Sequence, residues 1–246
     1  MTVPIPYAMK RILRVWDSRF ARKTVDLSIR GFPYKFYQTF WWGDISQALI
    51  DEEIGPYFAA LEDNLQLSVI LDVGAAAGHF AIPAGATFPR STIHAFEPSE
   101  RQRILLQRNV QLNRVTNVVV ESRGLWKTSD TLAFRTNGAE SSFASVSRFR
   151  GKLPFREMVP VISLDEWIRE KRLDRVDLIK MDAEGAEIEV LEGATETLAA
   201  AHPRMMIQAY HLRDGVRTFQ KCAEILEKEG YVVEERPQGS GFLYAH

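Results

Sequence analysis

From residue 67 onward the apolar positions alternate between two spacings. Short runs rich in Val, Ile and Leu stand at 69–73, 92–97, 117–122, 176–181 and 204–209, and apolar residues return at helical spacing over 78–88, 99–113, 164–172, 188–201 and 215–229. Runs with no regular polar alternate suit strands buried on both faces. Their exchange with helices predicts an α/β fold with a mostly parallel sheet. The last two runs, 231–235 and 242–245, are separated by a stretch containing PQGSG, too short for a helical crossover. They are therefore predicted to pair as an antiparallel hairpin. The alternation fails between 124 and 159, where 131–135 predicts an extra strand and 137–147 (NGAESSFASVS) is small and polar. This region reads as an insertion over a ligand site.

Residues 1–66 follow a different pattern. Met9, Ile12, Leu13, Trp16 and Phe20 recur at helical spacing, and the first 35 residues carry eight basic side chains (Lys10, Arg11, Arg14, Arg19, Arg22, Lys23, Arg30 and Lys35) against Asp17 and Asp26. The pattern predicts a basic amphipathic helical arm, packed on its own domain or on a second copy in a homodimer, with peripheral contact to an anionic membrane as the alternative. Seven aromatics follow between Phe32 and Trp42. They are too dense for a solvated linker and are expected to be buried or to cover a ligand. A helix over 45–65 is expected to lead into the first core strand.

Composition bounds the partners. Hydrophobic residues make up 46% and charged residues 26% of the 246 positions, and the formal net charge is -1. Such a balance is that of a globular protein and argues against nucleic acid as a partner, because no excess of Lys and Arg is present to neutralise phosphates. The single cysteine, Cys222, excludes an internal disulfide and a cysteine-based zinc cluster. No apolar run approaches the roughly 20 residues of a membrane span, and charges interrupt the N-terminal region, so the expected compartment is the cytoplasm.

The candidate chemistry gathers at the strand ends. In open α/β sheets ligands bind beyond the carboxyl ends of the strands, which here offer Asp72, Glu97, Glu121 with Ser122, Asp182 with Glu184, and Gln208, Tyr210 and His211. The stretch VILDVGAAAG (69–78) reads as strand, tight turn and helix start, with Gly74 and Gly78 leaving the main chain open to a nucleotide-like ligand. Asp72 favours an amine-bearing or cationic ligand over a bare pyrophosphate. Glu97, about 20 residues past the loop, stands where a carboxylate meets ribose hydroxyls. In IKMDAEGAE (179–187), Asp182 is expected to project into the cleft, and Glu187 to cap the next helix and face its dipole. Asp182 and Glu184 could share a proton or a divalent cation, and His211 could take a hydroxyl proton. His79 is expected to pack over a ligand or cap a helix.

These residues resemble the FkbM-type S-adenosylmethionine-dependent methyltransferases. The resemblance spans roughly 71–210 and rests on DVGAAAG (72–78), AFEP (95–98), the spacing of Asn109 and Asn113, LDEW (164–167) and IKMDAEGAEIEVLEGA (179–194). It implies a Rossmann-like class I methyltransferase with a seven-stranded sheet in residues 67–246, behind an N-terminal helical extension at 1–66. It also implies S-adenosylmethionine as donor, S-adenosylhomocysteine as product, and a small hydroxylated acceptor such as a sugar or natural product. By the same resemblance Asp72, Gly74 and Gly78 line the methionine end, Glu97 meets the ribose and Ser122 the adenine. Ala75, Phe80 and Pro98 complete the cofactor set with Asp182 at its edge. Asp182, Glu184 and His211 are the catalytic candidates, with Asp182 or His211 as the base. The favoured reading has no metal; the alternatives are a Mg²⁺-assisted sugar O-methyltransferase and a non-catalytic protein of the same fold that docks a membrane or a partner. Two positions depart from the family pattern: Ala76, where Asn is common, and Gln208, where Glu is common.

Overall fold

The computed structural model describes residues 16–39, 46–61, 65–137, 140–143, 156–213 and 215–246. In the N-terminal segment, residues 16–20 are helical, and the chain then forms a β-hairpin of β1 (Thr24–Ile29) and β2 (Phe32–Tyr37). The expected helical arm is thus a hairpin from residue 24 onward. Its cause is a period-2 pattern: Leu27 and Ile29 on β1, with Tyr34 and Phe36 on β2, are buried while their neighbours face outward. The basic positions before 16 and the aromatics Phe40, Trp41 and Trp42 lie outside the described residues. Two short helices follow, α1 (Gln47–Glu53) and α2 (Gly55–Ala59), with the expected single helix interrupted where Pro56 starts the second.

The core then runs β3 (Val69–Val73), α3 (Ala81–Thr87), β4 (Thr92–Phe96), α4 (Glu100–Leu112) and β5 (Val118–Glu121). The inserted region contributes β6 (Gly124–Leu125), β7 (Asp130–Asn137), β8 (Glu140–Phe143) and β9 (Arg156–Ile162), which form a small sheet in the order β6-β9-β7-β8. Next come α5 (Leu164–Lys171), β10 (Leu178–Met181), α6 (Glu187–Glu192), α7 (Thr195–Ala201) and β11 (Arg204–Gln208). The helix expected over 188–201 is two helices that part at Gly193, the C-cap of α6, where a Cβ would come 2.3 Å from the Trp126 carbonyl. The chain ends with a two-residue ladder, β12 (Leu212–Arg213) and β13 (Val216–Arg217), then α8 (Thr218–Lys228), β14 (Val233–Glu235) and β15 (Phe242–Ala245).

The main sheet has seven strands in the order β14-β15-β11-β10-β3-β4-β5. The strands β11, β10, β3, β4 and β5 pair in parallel, and β15 runs antiparallel to both β11 and β14. The mostly parallel sheet and its C-terminal hairpin are those read from the sequence. Each face carries its own core. One joins Ile70, Ile93 and Met206 to Leu27, Phe36, Tyr57 and Phe58 from the N-terminal segment; the other joins Leu71, Val73, Ile179 and Ile207 to Trp167, Leu191 and Leu226. The hairpin is fastened through α4, where Asn109 and Asn113 accept the N–H groups of Tyr37 and Lys35 at 2.8 and 2.9 Å. A one-turn Asn spacing on a helix thereby satisfies alternate donors along a strand edge. Among the described residues no helix is long and apolar enough to cross a membrane.

Candidate active site

At the carboxyl ends of β3, β4 and β10 the main sheet and the small sheet line a cavity of about 100 Å³. Its wall includes Gly74, Ala76, Glu97, Pro98, Asp182 and Glu184 from the strand ends, with Phe96, Leu125 and Phe134 as apolar surface.

The glycine turn is shaped by the protein itself. Gly74 has φ +77°, and a Cβ there would lie 1.9 Å from the Asp182 carbonyl oxygen. The turn after β3 is therefore pressed against the end of β10, and only glycine fits between them. The Gly74 and Ala75 N–H groups donate to the Phe96 carbonyl at 3.2 and 3.0 Å. Ala76 is left-handed, φ 47°, and its N–H donates to Glu97 Oε2 at 2.9 Å, while the Ser99 N–H donates to Glu97 Oε1 at 2.8 Å. Burial pushes the Glu97 carboxyl up to about 7 against the opposing pull of those two amides. Beside it Gln102 is buried, and its Oε1 has no hydrogen-bond partner among the described residues.

Asp72 does not reach the cavity wall. The parallel register sets it beside Lys180 on the same face of the sheet, and Lys180 Nζ lies 3.0 Å from Asp72 Oδ1 and 3.1 Å from the Gly74 carbonyl. Both side chains are sealed, with Lys180 Nζ 5.3 Å from the centre of the Tyr57 ring. Burial raises the Asp72 carboxyl and Lys180 opposes the rise. The acid expected to greet a ligand amine is instead the buried partner of a lysine that holds the loop. Ala75, Gly78 and Phe80 also stand behind the wall. Phe80 packs on Tyr57 and Phe58, and a Cβ on Gly78 would press on Leu106. Ser122 is exposed, and Gly124 and Leu125 reach the cavity in its place. Glu121 is held by His94 and Lys171 at 3.3 and 2.7 Å; burial would raise its carboxyl, but those two partners bring it down to about 2.

The Asp182 end is crowded with acids. Asp182 Oδ1 is buried with no hydrogen-bond partner among the described residues. Burial and the neighbouring Glu184 raise its carboxyl against the pull of Lys180. His211 is 7% exposed and sits behind the wall, with Nε2 3.4 Å from Glu184 Oε2 and Nδ1 3.2 Å from Glu187 Oε1. Burial alone would lower the imidazole, but those carboxylates lift it to about 10. Glu187, at the first position of α6, accepts the Ala183 and Gly185 N–H groups at 3.1 and 3.0 Å, the capping role read from its place in the sequence. Donor atoms of Asp182, Glu184 and His211 all lie within 4.8 Å of one another. His79 packs on Phe36, 4.8 Å between ring centres, away from this cluster.

A family model described as the Methyltransferase FkbM domain matches residues 72–233, from the buried Asp72 to the start of β14. The chain belongs to the FkbM methyltransferase family. It is similar to Methyltransferase 1 of Beauveria bassiana, 29% identical over 189 residues that cover 69% of this chain and 75% of that protein. Its fold is similar to that of a methyltransferase FkbM from Methylobacillus flagellatus, with a TM-score of 0.51, 20% identity and 76% of this chain covered. The match spans 45% of that FkbM protein's length. Fibrillarin of Aeropyrum pernix, solved with natively bound S-adenosyl-L-methionine, shares the fold at a TM-score of 0.50 and 14% identity, over 94% of this chain and 86% of that one. The protein is thus a methyltransferase with a class I fold.

In this FkbM methyltransferase the structure brings Gly74, Glu97, Pro98, Asp182 and Glu184 to one wall, with His211 directly behind Glu184. It adds residues that the sequence reading passed over: Lys180, Gln102, Leu125 and Phe134. Lys180 left a signal, since a lysine inside the apolar strand LIKM demands a buried partner. Gln102 left none, being one polar residue among many on α4.

Proposed function

We propose that this FkbM methyltransferase uses S-adenosylmethionine to methylate a hydroxyl oxygen of a small polar acceptor such as a sugar or a hydroxylated natural product. The observation that carries the reading is the Asp182 carboxyl, with one sealed oxygen that has no hydrogen-bond partner among the described residues, on the same wall as the glycine turn and Glu97. The residues present fit the cofactor. Each Glu97 oxygen accepts one backbone N–H and keeps a lone pair for a ribose hydroxyl, and Gln102 Oε1 is a buried acceptor suited to an adenine amine. Phe96, Leu125 and Phe134 supply apolar contact.

When bound, the cofactor supplies an electrophilic methyl group on its sulfonium. The chain's own task is then to align the acceptor oxygen and take its proton. Asp182 faces the cavity and is placed for that step. His211, ion-paired on both ring nitrogens and off the wall, positions Glu184. Of the two base candidates, geometry supports Asp182.

The test pairs calorimetry with turnover. S-adenosylmethionine and S-adenosylhomocysteine are titrated into the protein, and product release is followed over a panel of hydroxylated acceptors. Asp182→Asn is expected to keep cofactor affinity within about threefold and to lose about 10²- to 10⁴-fold in turnover, the usual contribution of a general base. Undiminished turnover of that variant would sink the assignment, and no binding of either cofactor form would sink the donor.

A further inference from the structure

We propose that Asp182, Glu184 and His211 form a divalent-cation site, suited to an ion of the Mn²⁺ class, at the acceptor end of the cavity. The first observation is convergence: one donor atom from each residue falls within a 4.8 Å span. Donors at about 2.0–2.6 Å from a shared cation stand up to about 5 Å apart, so one ion reaches all three with small rotamer changes.

The second observation is independent of the acids. His211 is 93% buried, and neither ring nitrogen makes an aligned hydrogen bond among the described residues, although both lie within ion-pair distance of carboxylates. Ligation would use the Nε2 lone pair of the neutral ring, so the incoming cation displaces the Nε2 proton, which leaves to solvent. Glu187 completes the arrangement. Its carboxylate is fixed by two backbone amides and faces Nδ1, as in metal sites where a carboxylate takes the second ring N–H and leaves Nε2 free to ligate. The backbone also contributes, since Glu184 is held left-handed at φ 53°, a conformation that costs energy and persists where the surroundings impose it.

Charge points the same way. Glu53, Asp182, Glu184 and Glu187 surround this end of the cavity, and the nearby Lys180 is committed to Asp72. Two carboxylates with one imidazole form a mixed oxygen and nitrogen set, which suits a hard ion tolerant of one nitrogen better than a thiophilic one. Three protein donors leave coordination positions open. An acceptor that offers two neighbouring oxygens, a vicinal diol or a hydroxy acid, would fill them with one oxygen presented to the methyl group. Coordination through one Asp182 oxygen leaves the other for the proton. The acceptor part of this inference rests on the O-methyltransferase reading; the cation site itself does not.

The experiment therefore begins without cofactor or acceptor. The full chain is stripped with EDTA and titrated with Mn²⁺ alone, and bound ion is followed by electron paramagnetic resonance and calorimetry. One equivalent is expected to bind saturably. Glu184→Gln, at a partly exposed position, is expected to weaken binding about 10- to 100-fold while circular dichroism and the urea midpoint stay near wild type, and His211→Gln to do the same if it folds. The absence of saturable binding, or binding that Glu184→Gln and Asp182→Asn leave unchanged, would overturn the site. Failure of the methyltransferase reading would appear separately, as cofactor that does not bind a protein that still takes up Mn²⁺.

Discussion

The Glu97 side and the Asp182 side of the cavity are built by different means. Around Glu97 the polar groups are satisfied by main chain: the Ala76 and Ser99 amides hold the carboxylate, and the Phe96 carbonyl anchors the turn. Around Asp182 the polar groups are side chains, and Asp182 Oδ1, Glu187 Oε2 and both nitrogens of the ion-paired His211 make no aligned hydrogen bond among the described residues. A main-chain cradle is nearly independent of rotamers and suits a ligand that never changes. A cluster of unmet acids binds strongly to whatever supplies charge or protons, and suits the end where acceptor chemistry varies.

The most severe way to break this division is at Gly74, which belongs to both sides. Gly74→Ala places a Cβ on the Asp182 carbonyl and demands a left-handed alanine. Overpacking and backbone strain together are expected to cost roughly 4 kcal/mol. Urea unfolding should show that loss, and both cofactor and Mn²⁺ binding should fall with it. Next comes Lys180→Met, which strands Asp72 in the core. Removing one partner of a buried pair costs about 3–5 kcal/mol, and the double variant Asp72→Asn with Lys180→Met should recover much of it. The sign with pH is definite. The stranded carboxyl, raised by burial, is tolerated only when protonated, so the deficit of the single variant should shrink as pH falls toward 5.

Glu97 sharpens the comparison at a smaller scale. With its carboxyl at about 7, the group is largely neutral at pH 6 and ionised at pH 8. An ionised carboxylate accepts two ribose hydroxyls, so cofactor affinity is expected to rise up to about tenfold across that interval. Glu97→Gln should flatten the profile in calorimetry. Its contribution to folding has the opposite sign: a carboxyl raised above its unfolded value loses stability as pH climbs past that value, so the ligand-free protein should melt slightly earlier at pH 8 than at pH 6.

Much of the Glu97 side was legible in the sequence because it follows chain order. The strand at 69–73, the turn and Glu97 are consecutive features of one β-α-β unit, and the last strand, Phe242–Ala245, matches its apolar run residue for residue. What escaped depends on contacts between distant segments. The partner of Asp72 is Lys180, more than a hundred residues away, and only the pairing register joins them. The spacing of Asn109 and Asn113 is plain in the sequence, but their use as acceptors for Tyr37 and Lys35 depends on a hairpin at 24–37 that the aromatic density of the segment does not announce. Asp182 and Glu184 were visible as acids at a strand end. That Glu187 would turn His211 toward them was not, because the histidine arrives from β11.

The gentlest comparison uses the one non-glycine residue on each side that the wall holds left-handed, Ala76 at φ 47° and Glu184 at φ 53°. An L-residue there costs about 1–2 kcal/mol over glycine, with Asn intermediate because its short side chain tolerates the conformation. Ala76→Gly should therefore raise stability by about 1 kcal/mol and Ala76→Asn by less, read as a shift of the urea midpoint at constant slope. Glu184→Gly relieves the same strain, but it also removes the partly exposed contact with His211, worth under about 1 kcal/mol, so its net gain should be smaller still. The informative result is the pairing of readouts. Glu184→Gly should be no less stable than wild type and yet lose Mn²⁺ binding, as expected if the strain at Glu184 serves the ligand. A Glu184→Gly protein that is clearly destabilised would instead make that carboxylate a structural prop for His211.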